Sequence, residues 1–237
     1  MHIEGENNYL KEWEKSYSQG DNNILYPQSE VIRFLNRFIR KRNNDGTFSA
    51  LIKKDADQVI NGLDFACGVG THCITFKDFN IEGYGVDISK TAINIAKKRS
   101  RLIGLDDNRF KALDPNSQKL HFNDNFFDFV VAESCLDSMP FTTAQSYIHE
   151  LKRVTDGLIY ASFIGHNDSI NSDEFVVSTK LEKGTIQSVY DEEKICKLFG
   201  VEAQELKYFN KTVQFDAISN SIIDCRYYCV FSNTKNL

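Results

Sequence analysis

Residues 63–72 have the composition of a ligand-binding turn. They read LDFACGVGTH and join an apolar run of strand length to a helix-like stretch. Gly68 and Gly70 permit a tight turn, and their lack of side chains lets backbone N–H groups approach a ligand closely. The segment therefore predicts a binding site at the junction of a strand and a helix.

Two acidic residues follow at the ends of later strand-like runs. Asp87 lies 17 residues after Gly70, in the run GYGVDIS, and a carboxylate at this spacing can accept hydrogen bonds from both hydroxyls of a ribose. Asp114 ends the next run, where it could bind the amino group of adenine. An ordinary turn aspartate before Pro115 is the alternative. Together, these acids predict an adenosine-containing ligand.

The elements that must position these residues alternate between strands and helices. Strand-like runs cover residues 58–66, 83–88, 109–113, 127–132 and 158–164, and helix-like stretches cover 71–79, 89–103 and 142–154. This alternation predicts a doubly wound α/β fold with a mostly parallel sheet. Two β-rich runs, 203–215 and 222–232, follow a helix at 191–199. The link between these runs is too short for a crossover, so they should form an antiparallel hairpin.

The N-terminal residues 1–57 have a different character and predict a helical cap with a linker, before a main domain of residues 58–237. Amphipathic helices are expected at 9–17 and 27–42, followed by a loop at 43–57. Four basic residues should form the solvated end of the second helix: Arg37, Arg40, Lys41 and Arg42.

Residues 165–190 form an unusually long connection between a strand and a helix, which predicts a lid or an acceptor-binding insert. Phe175, Val176, Val177 and Tyr190 could supply apolar walls there. A short surface hairpin is the alternative.

The motifs resemble those of the class I S-adenosylmethionine-dependent methyltransferases, in order, over residues 59–165. The fourth is the run NFFDFVVAES of residues 125–134. Ala66 stands where that family usually has its first glycine. The resemblance implies a seven-stranded sheet with S-adenosylmethionine as cofactor. It also implies that Asp64 orders the turn, Asp87 holds the ribose, and Glu133 lies below the methyl group. The remaining implied cofactor neighbours are Ala66, Cys67, Gly68, Gly70, His72, Ile88, Asp114 and Pro115.

The N-terminus carries a second resemblance, to small-molecule methyltransferases that include some from bacterial surface-polysaccharide clusters. It rests on the runs WEKSY of residues 13–17 and LYP of residues 25–27. The resemblance implies that Trp13 and Tyr17 line the methionine end of the cofactor. Simple packing of these helices on the sheet is the alternative.

Other functions fit the sequence less well. NAD-dependent dehydrogenases share the glycine turn and the ribose acid, but their third glycine is replaced here by Cys73. Nucleic acid is disfavoured by a net charge of -5, and ESCL stands where amino-methylating nucleic-acid enzymes have their motif. A protein substrate stays open. So does a non-catalytic binding module, although such a module would be expected to lose Asp87 or Asp114.

We therefore expect methylation of a small soluble acceptor, such as a sugar or nucleotide-sugar hydroxyl or an amine. A sugar hydroxyl would need a general base. Asp137 and His166 are the candidates, because each follows a strand at the edge where open α/β sheets place active sites. Solvent-facing loop residues are the alternative for both.

Composition adds expectations about the chain's environment. The chain has six cysteines without metal-ligand spacing, and neither a secretory signal nor a long apolar run. We expect a cytoplasmic protein with free thiols, without a bound metal or a membrane partner. The oligomeric state is not predicted.

Overall fold

The computed structural model describes residues 8–52, 54, 58–114, 116–170, 172–179 and 182–233. The helices are α1 (Asn8–Gln19), α2 (Ser29–Phe34), a π-helix (Leu35–Ile39), α3 (Thr71–Phe76), α4 (Lys90–Leu102), α5 (Phe141–Val154) and α6 (Glu192–Phe199). The strands are β1 (Arg40–Arg42), β2 (Phe48–Ala50), β3 (Asn61–Phe65), β4 (Glu82–Asp87), β5 (Phe110–Ala112), β6 (Phe127–Ala132), β7 (Thr155–Ile164), β8 (Glu174–Val176), β9 (Ile186–Ser188), β10 (Tyr208–Phe215) and β11 (Ile222–Ser232).

A seven-stranded sheet with the order β10-β11-β7-β6-β3-β4-β5 forms the centre of the fold. The pairs from β7 through β5 are parallel, whereas β11 is antiparallel to both β7 and β10. The strand order reverses between β3 and β6, and the carboxyl edge of a doubly wound sheet forms a crevice at such a point. The predicted fold and its terminal hairpin are confirmed.

Both faces of the sheet are covered by apolar side chains. On one face, α5 and α6 bury residues that include Tyr147, Leu151 and Ile195. On the other face, α2 and the π-helix pack Phe34 and Leu35 into a cluster with strand residues. Burial on both faces explains why the central strands are continuous apolar runs rather than alternating ones.

The second N-terminal helix is shorter than predicted. The chain becomes extended at Arg40, whose φ is -154°, and β1 pairs with β2 in a small antiparallel hairpin. Arg40 is 2% exposed, and its Nη1 donates a hydrogen bond to Asn80 O at 2.5 Å. The prediction that residues 40–42 form a solvated helix end was therefore wrong. Residues 43–57 were predicted to form a loop, which was wrong for residues 48–50 because they form β2. Residues 53 and 55–57 lie outside the described part of the chain.

Residues 165–190 contain the hairpin that was the alternative to a lid. Strands β8 and β9 pair antiparallel, with Phe175 opposite Gln187. Hydrogen bonds join the hairpin to the loop after β6 and to the start of α5, among them those from Ser188 N to Asp137 O, from Ser188 Oγ to Met139 O and from Phe141 N to Glu174 Oε1. A role in acceptor binding stays a prediction. Within the described residues, no helix has the length and apolar character needed to cross a membrane.

Candidate active site

The turn after β3 depends on residues in the left-handed region. The φ angles are 55° at Ala66, 52° at Gly68 and 80° at Gly70. A Cβ added to Gly70 would lie 2.7 Å from Phe110 Cε1 and 2.9 Å from Ala96 Cβ, which leaves no room for a side chain. Both the backbone angle and the close packing therefore require glycine at position 70.

Asp64 joins this turn to the start of α3. Its carboxylate is buried, and Oδ2 accepts a hydrogen bond from Cys73 N at 3.1 Å. Oδ1 lies 3.7 Å from His72 Nδ1. Burial lowers the pKa of His72, but the hydrogen bond and charge of Asp64, together with the charge of Glu133, more than offset this effect, so the pKa is raised overall. Asp64 therefore orders the turn from behind, and His72 belongs to the same arrangement.

Asp87 connects the end of β4 to the glycine turn. Its Oδ2 accepts from Gly68 N at 2.8 Å, and its Oδ1 accepts from Ser89 N at 2.8 Å. The residue is 4% exposed, and this burial raises the pKa of Asp87 to about 6. Ser89 also caps α4, since its side chain accepts from Ala92 N. The two sequence features that predicted an adenosine ligand are thus in direct contact.

A cleft of about 90 Å³ opens beside this contact. Five of the residues predicted to bind cofactor line it: Trp13, Tyr17, Ala66, Asp87 and Ile88. The turn residues Cys67, Gly68 and Gly70 are adjacent to it in the chain. Eight other residues that line the cleft were not predicted to bind cofactor: Leu10, Phe65, Leu113, Ser134, Cys135, Ser138, Met139 and Tyr147. Leu113 follows β5 directly, a position that could have signalled a cleft wall, whereas Tyr147 on α5 carried no such signal.

Asp114 has the geometry of a turn aspartate. It is exposed, and its Oδ1 accepts hydrogen bonds from Asn116 N at 2.9 Å and from Asn116 Nδ2 at 3.2 Å. It is not among the residues lining the cleft. Pro115 lies outside the described residues.

Helix α1 covers the cleft and is hydrogen-bonded to the start of α4. Glu14 accepts hydrogen bonds from Ser89 Oγ at 2.6 Å and from Thr91 Oγ1 at 2.5 Å, at the start of α4. Tyr17 approaches so closely that a Cβ on Gly68 would lie 2.7 Å from the phenolic oxygen. Burial and the charge of Asp87 raise the pKa of Tyr17 well above its ordinary value. Tyr17 thus lies beside the glycine turn, and its role at the methionine end of the cofactor stays a prediction.

Glu133 follows β6 at the carboxyl edge of the sheet. Its Oε2 accepts from Tyr160 Oη at 2.7 Å, and its Oε1 accepts from Ser134 Oγ at 3.2 Å. Ser134 adopts a left-handed φ of 48°, and its N–H donates to Ser162 Oγ at 2.8 Å. Ser134 lines the cleft, which puts Glu133 next to the cleft wall.

Neither of the two predicted general bases is among the residues that line the cleft. Asp137 is 1% exposed, and its Oδ2 accepts from Ile164 N at 2.7 Å. Burial raises the pKa of Asp137 to about 7, although Arg226 lies 4.0 Å away. His166 is exposed, with Nε2 3.6 Å from Asp173 Oδ1. The solvent-facing alternative therefore describes His166 but not Asp137.

Comparison with known proteins places the chain in a family. A family model described as a methyltransferase domain matches residues 56–212. The fold is similar to an S-adenosylmethionine-dependent methyltransferase from Methanosarcina mazei, with a TM-score of 0.59 and 21% identity over 73% of this chain and 92% of that one. TehB from Haemophilus influenzae has a TM-score of 0.58 at 13% identity, over 92% of this chain and 66% of that one.

A third similar fold is phosphoethanolamine N-methyltransferase 2 from Haemonchus contortus, solved with phosphomonomethylethanolamine and S-adenosylhomocysteine. Its TM-score is 0.58 at 14% identity, and the match covers 94% of this chain and 57% of that one. None of the curated protein sequences is significantly similar to this chain.

The chain belongs to the class I S-adenosylmethionine-dependent methyltransferases, because the family model covers more than half of its length and the fold agrees. It is a methyltransferase, and its methyl donor is S-adenosylmethionine. The predicted family, activity and cofactor are confirmed, and the dehydrogenase alternative is wrong.

Proposed function

We propose that the cleft beside Asp87 binds S-adenosylmethionine and that the enzyme methylates a small soluble acceptor there. The observation that carries this proposal is the hydrogen bond from Gly68 N to Asp87 Oδ2 at 2.8 Å. It brings the ribose-type carboxylate and the glycine turn to one edge of a single cleft. A ligand that contacts both must have a ribose close to a group that binds bare backbone, as the adenosyl end of this cofactor does.

The residues of the cleft fit that cofactor. A carboxylate has about four acceptor positions, and backbone N–H groups use two of those of Asp87. The others are available to two ribose hydroxyls. Ile88 and Leu113 provide apolar surface suited to the faces of an adenine ring. Trp13 and Tyr17 would cover the methionine end, and Asp64 would hold the turn in shape.

When bound, the cofactor supplies a methyl group on a sulfonium that is already activated toward nucleophiles. The protein's task is to align the acceptor and exclude water, and alignment can contribute ~7–11 kcal/mol. Helix α1 excludes water by covering the cleft.

A small acceptor agrees with the surface of the chain. The net charge of -5 opposes a polyphosphate substrate, and nucleic acid would need an extended positive surface. If the acceptor needs a general base, Asp137 and His166 stay the predicted candidates. Glu133 is the carboxylate next to the cleft wall.

Calorimetric titration with S-adenosylhomocysteine tests the cofactor site. Asp87→Asn should weaken binding by about tenfold or more, because it removes a charged acceptor of two ribose hydrogen bonds. Asp216→Asn is the matched control, since Asp216 also accepts backbone N–H bonds but lies in the β10–β11 turn. Unchanged affinity in Asp87→Asn would contradict the assignment of the cleft.

Asp114→Asn tests whether Asp114 binds the amino group of adenine. If Asp114 is a turn residue, the affinity for S-adenosylhomocysteine should equal that of the wild type. If it binds the adenine amino group, the affinity should fall as it does in Asp87→Asn.

A further inference from the structure

A second cleft, of about 290 Å³, lies between the N-terminal helices and the sheet. Helix α2 and the π-helix form one wall, and strands β7, β10 and β11 form the other. The charged and aromatic residues that line this cleft include Glu30, Arg33, Arg37, Phe38, Tyr160 and Tyr208. We term this cleft the acceptor cleft. It is large enough for a small molecule, and its two ends carry opposite charges.

One end of the acceptor cleft is acidic. Tyr160 lines the acceptor cleft, and its hydroxyl donates to Glu133 Oε2 at 2.7 Å. The residue after Glu133 in the chain, Ser134, lines the cofactor cleft. Glu133 therefore connects a residue of one cleft to a residue of the other. Glu30, which lines the acceptor cleft, is the second carboxylate.

Tyrosine rings supply aromatic surface in the same cleft, since Tyr160 and Tyr208 both line it. Two carboxylates beside tyrosine rings are the groups that bind an organic ammonium, through charged hydrogen bonds and contact with aromatic faces.

The other end of the acceptor cleft is basic. Arg33 and Arg37 follow Glu30 by three and seven residues along the same helical wall, so Arg37 lies roughly 10 Å from Glu30 along the axis. The Arg37 guanidinium lies 5.0 Å from the centroid of the Tyr208 ring. Arg33 Nη1 pairs with Glu30 Oε1 at 2.9 Å, but the Arg33 side chain is 75% exposed, so this pair is weak.

We propose that the acceptor of this methyltransferase is a small amine that also carries an anionic group, a carboxylate or a phosphate. The amine binds at Glu133 and Glu30, and the anionic group binds at Arg37. This inference rests on the proposed function, since it needs the methyl donor in the cleft on the other side of Glu133.

The local charges favour methylation of nitrogen over oxygen. The acceptor ammonium loses one proton, which Glu133 accepts and passes to solvent. The nitrogen lone pair then forms the new bond to carbon while the carbon–sulfur bond breaks and its electron pair remains on sulfur. The products are S-adenosylhomocysteine and a methylated ammonium. Positive charge thus arises on nitrogen beside Glu133, which stabilises it. An alcohol would instead develop negative charge next to two carboxylates.

Calorimetry on protein saturated with S-adenosylhomocysteine tests this proposal with matched probes. The probes are 6-aminohexanoate, an aminoalkyl phosphate of the same length, 6-hydroxyhexanoate without the amine, and hexylamine without the anion. At least one of the two charged amines should bind about tenfold more tightly than either truncated probe. The tighter of the two identifies the anionic group.

Variants assign each end of the acceptor cleft. Glu133→Gln should abolish the preference for 6-aminohexanoate over 6-hydroxyhexanoate. Arg37→Gln should abolish the preference over hexylamine but keep the preference for the amine. Arg42→Gln, on the exposed part of β1, is the control and should change neither.

The proposal is overturned if the saturated wild type shows no preference for a charged amine, whether the probes bind equally or none binds. Preferences that persist in Glu133→Gln and Arg37→Gln also overturn it. Failure of S-adenosylhomocysteine to bind would contradict the cofactor assignment itself, and it appears before any probe is added.

Discussion

Two loops border the cofactor cleft, and they differ in their use of glycine. In the turn after β3, Gly68 and Gly70 both have left-handed φ angles, and Gly68 N donates to Asp87, which is 19 residues away. The loop after β6, residues 133–140, contains no glycine and is held by bonds from Ser134 to Ser162 and from Ile164 to Asp137. Each loop has one non-glycine residue with a left-handed φ, Ala66 or Ser134. A left-handed backbone conformation thus occurs both beside glycines and in a loop without them.

The largest expected effect is that of Gly70→Ala on the turn after β3. The added methyl would overlap Phe110 and Ala96, and the backbone would be strained as well. We expect a loss of about 3 kcal/mol or more in the free energy of unfolding, measured with urea. Gly104→Ala is the control, because its φ of 72° gives similar strain with no atom within 4 Å. It should cost only about 1 kcal/mol. Equal losses would mean that packing does not require glycine at position 70.

Asp137→Asn tests the loop after β6 through the pH dependence of stability. Burial raises the pKa of Asp137 to about 7, from an ordinary value of 3.8. Between these values the folded state keeps a proton that the unfolded state has lost. Stability therefore falls as pH rises from about 4 to about 7, by at most about 1.4 kcal/mol per pH unit. Urea unfolding of the variant across this range should show a smaller fall than the wild type. Parallel pH profiles would contradict the shift.

Ser162→Ala tests whether the loop after β6 depends on a distant hydroxyl. Ser134 N would lose its acceptor in a partly buried site, and we expect a loss of about 1 kcal/mol in urea unfolding. Ser146→Ala on α5 is the control, since that hydroxyl is exposed and bonds only within its own helix among the described contacts. Its effect should be within about 0.5 kcal/mol. A loss in Ser162→Ala no greater than in the control would show that the loop keeps its shape without this bond.

The smallest expected effect is that of Ala66→Gly, and it should be stabilising. Glycine relieves the left-handed strain at φ 55°, although it adds entropy to the unfolded chain, so the net gain should be about 0.5 kcal/mol. Ala144→Gly, in the ordinary helical backbone of α5, should instead destabilise by about 1 kcal/mol or more. A shift of the urea midpoint to lower concentration in Ala66→Gly would mean that the alanine is unstrained.

The contrast between the two loops also explains which features of the site could be predicted from the sequence. The glycine turn and Asp87 were predictable because spacing along the chain encodes their contact. The burial of Asp137 was not, because it depends on Ile164 and Arg226, which local patterns do not bring near. The helix predicted to reach residue 42 stops at Ile39 for a similar reason. Its apolar periodicity is real, but Arg40 bonds to Asn80 from an extended backbone.

The N-terminal stretch from α1 to the π-helix spans both clefts and is pinned between its two parts. Thr71 Oγ1 donates to Ile24 O, and Gln28 N donates to His72 Nε2, at the start of α3. The two helices are therefore attached independently, α1 to the start of α4 through Glu14 and α2 to the sheet through Phe34. A displacement of one helix would not by itself require a displacement of the other.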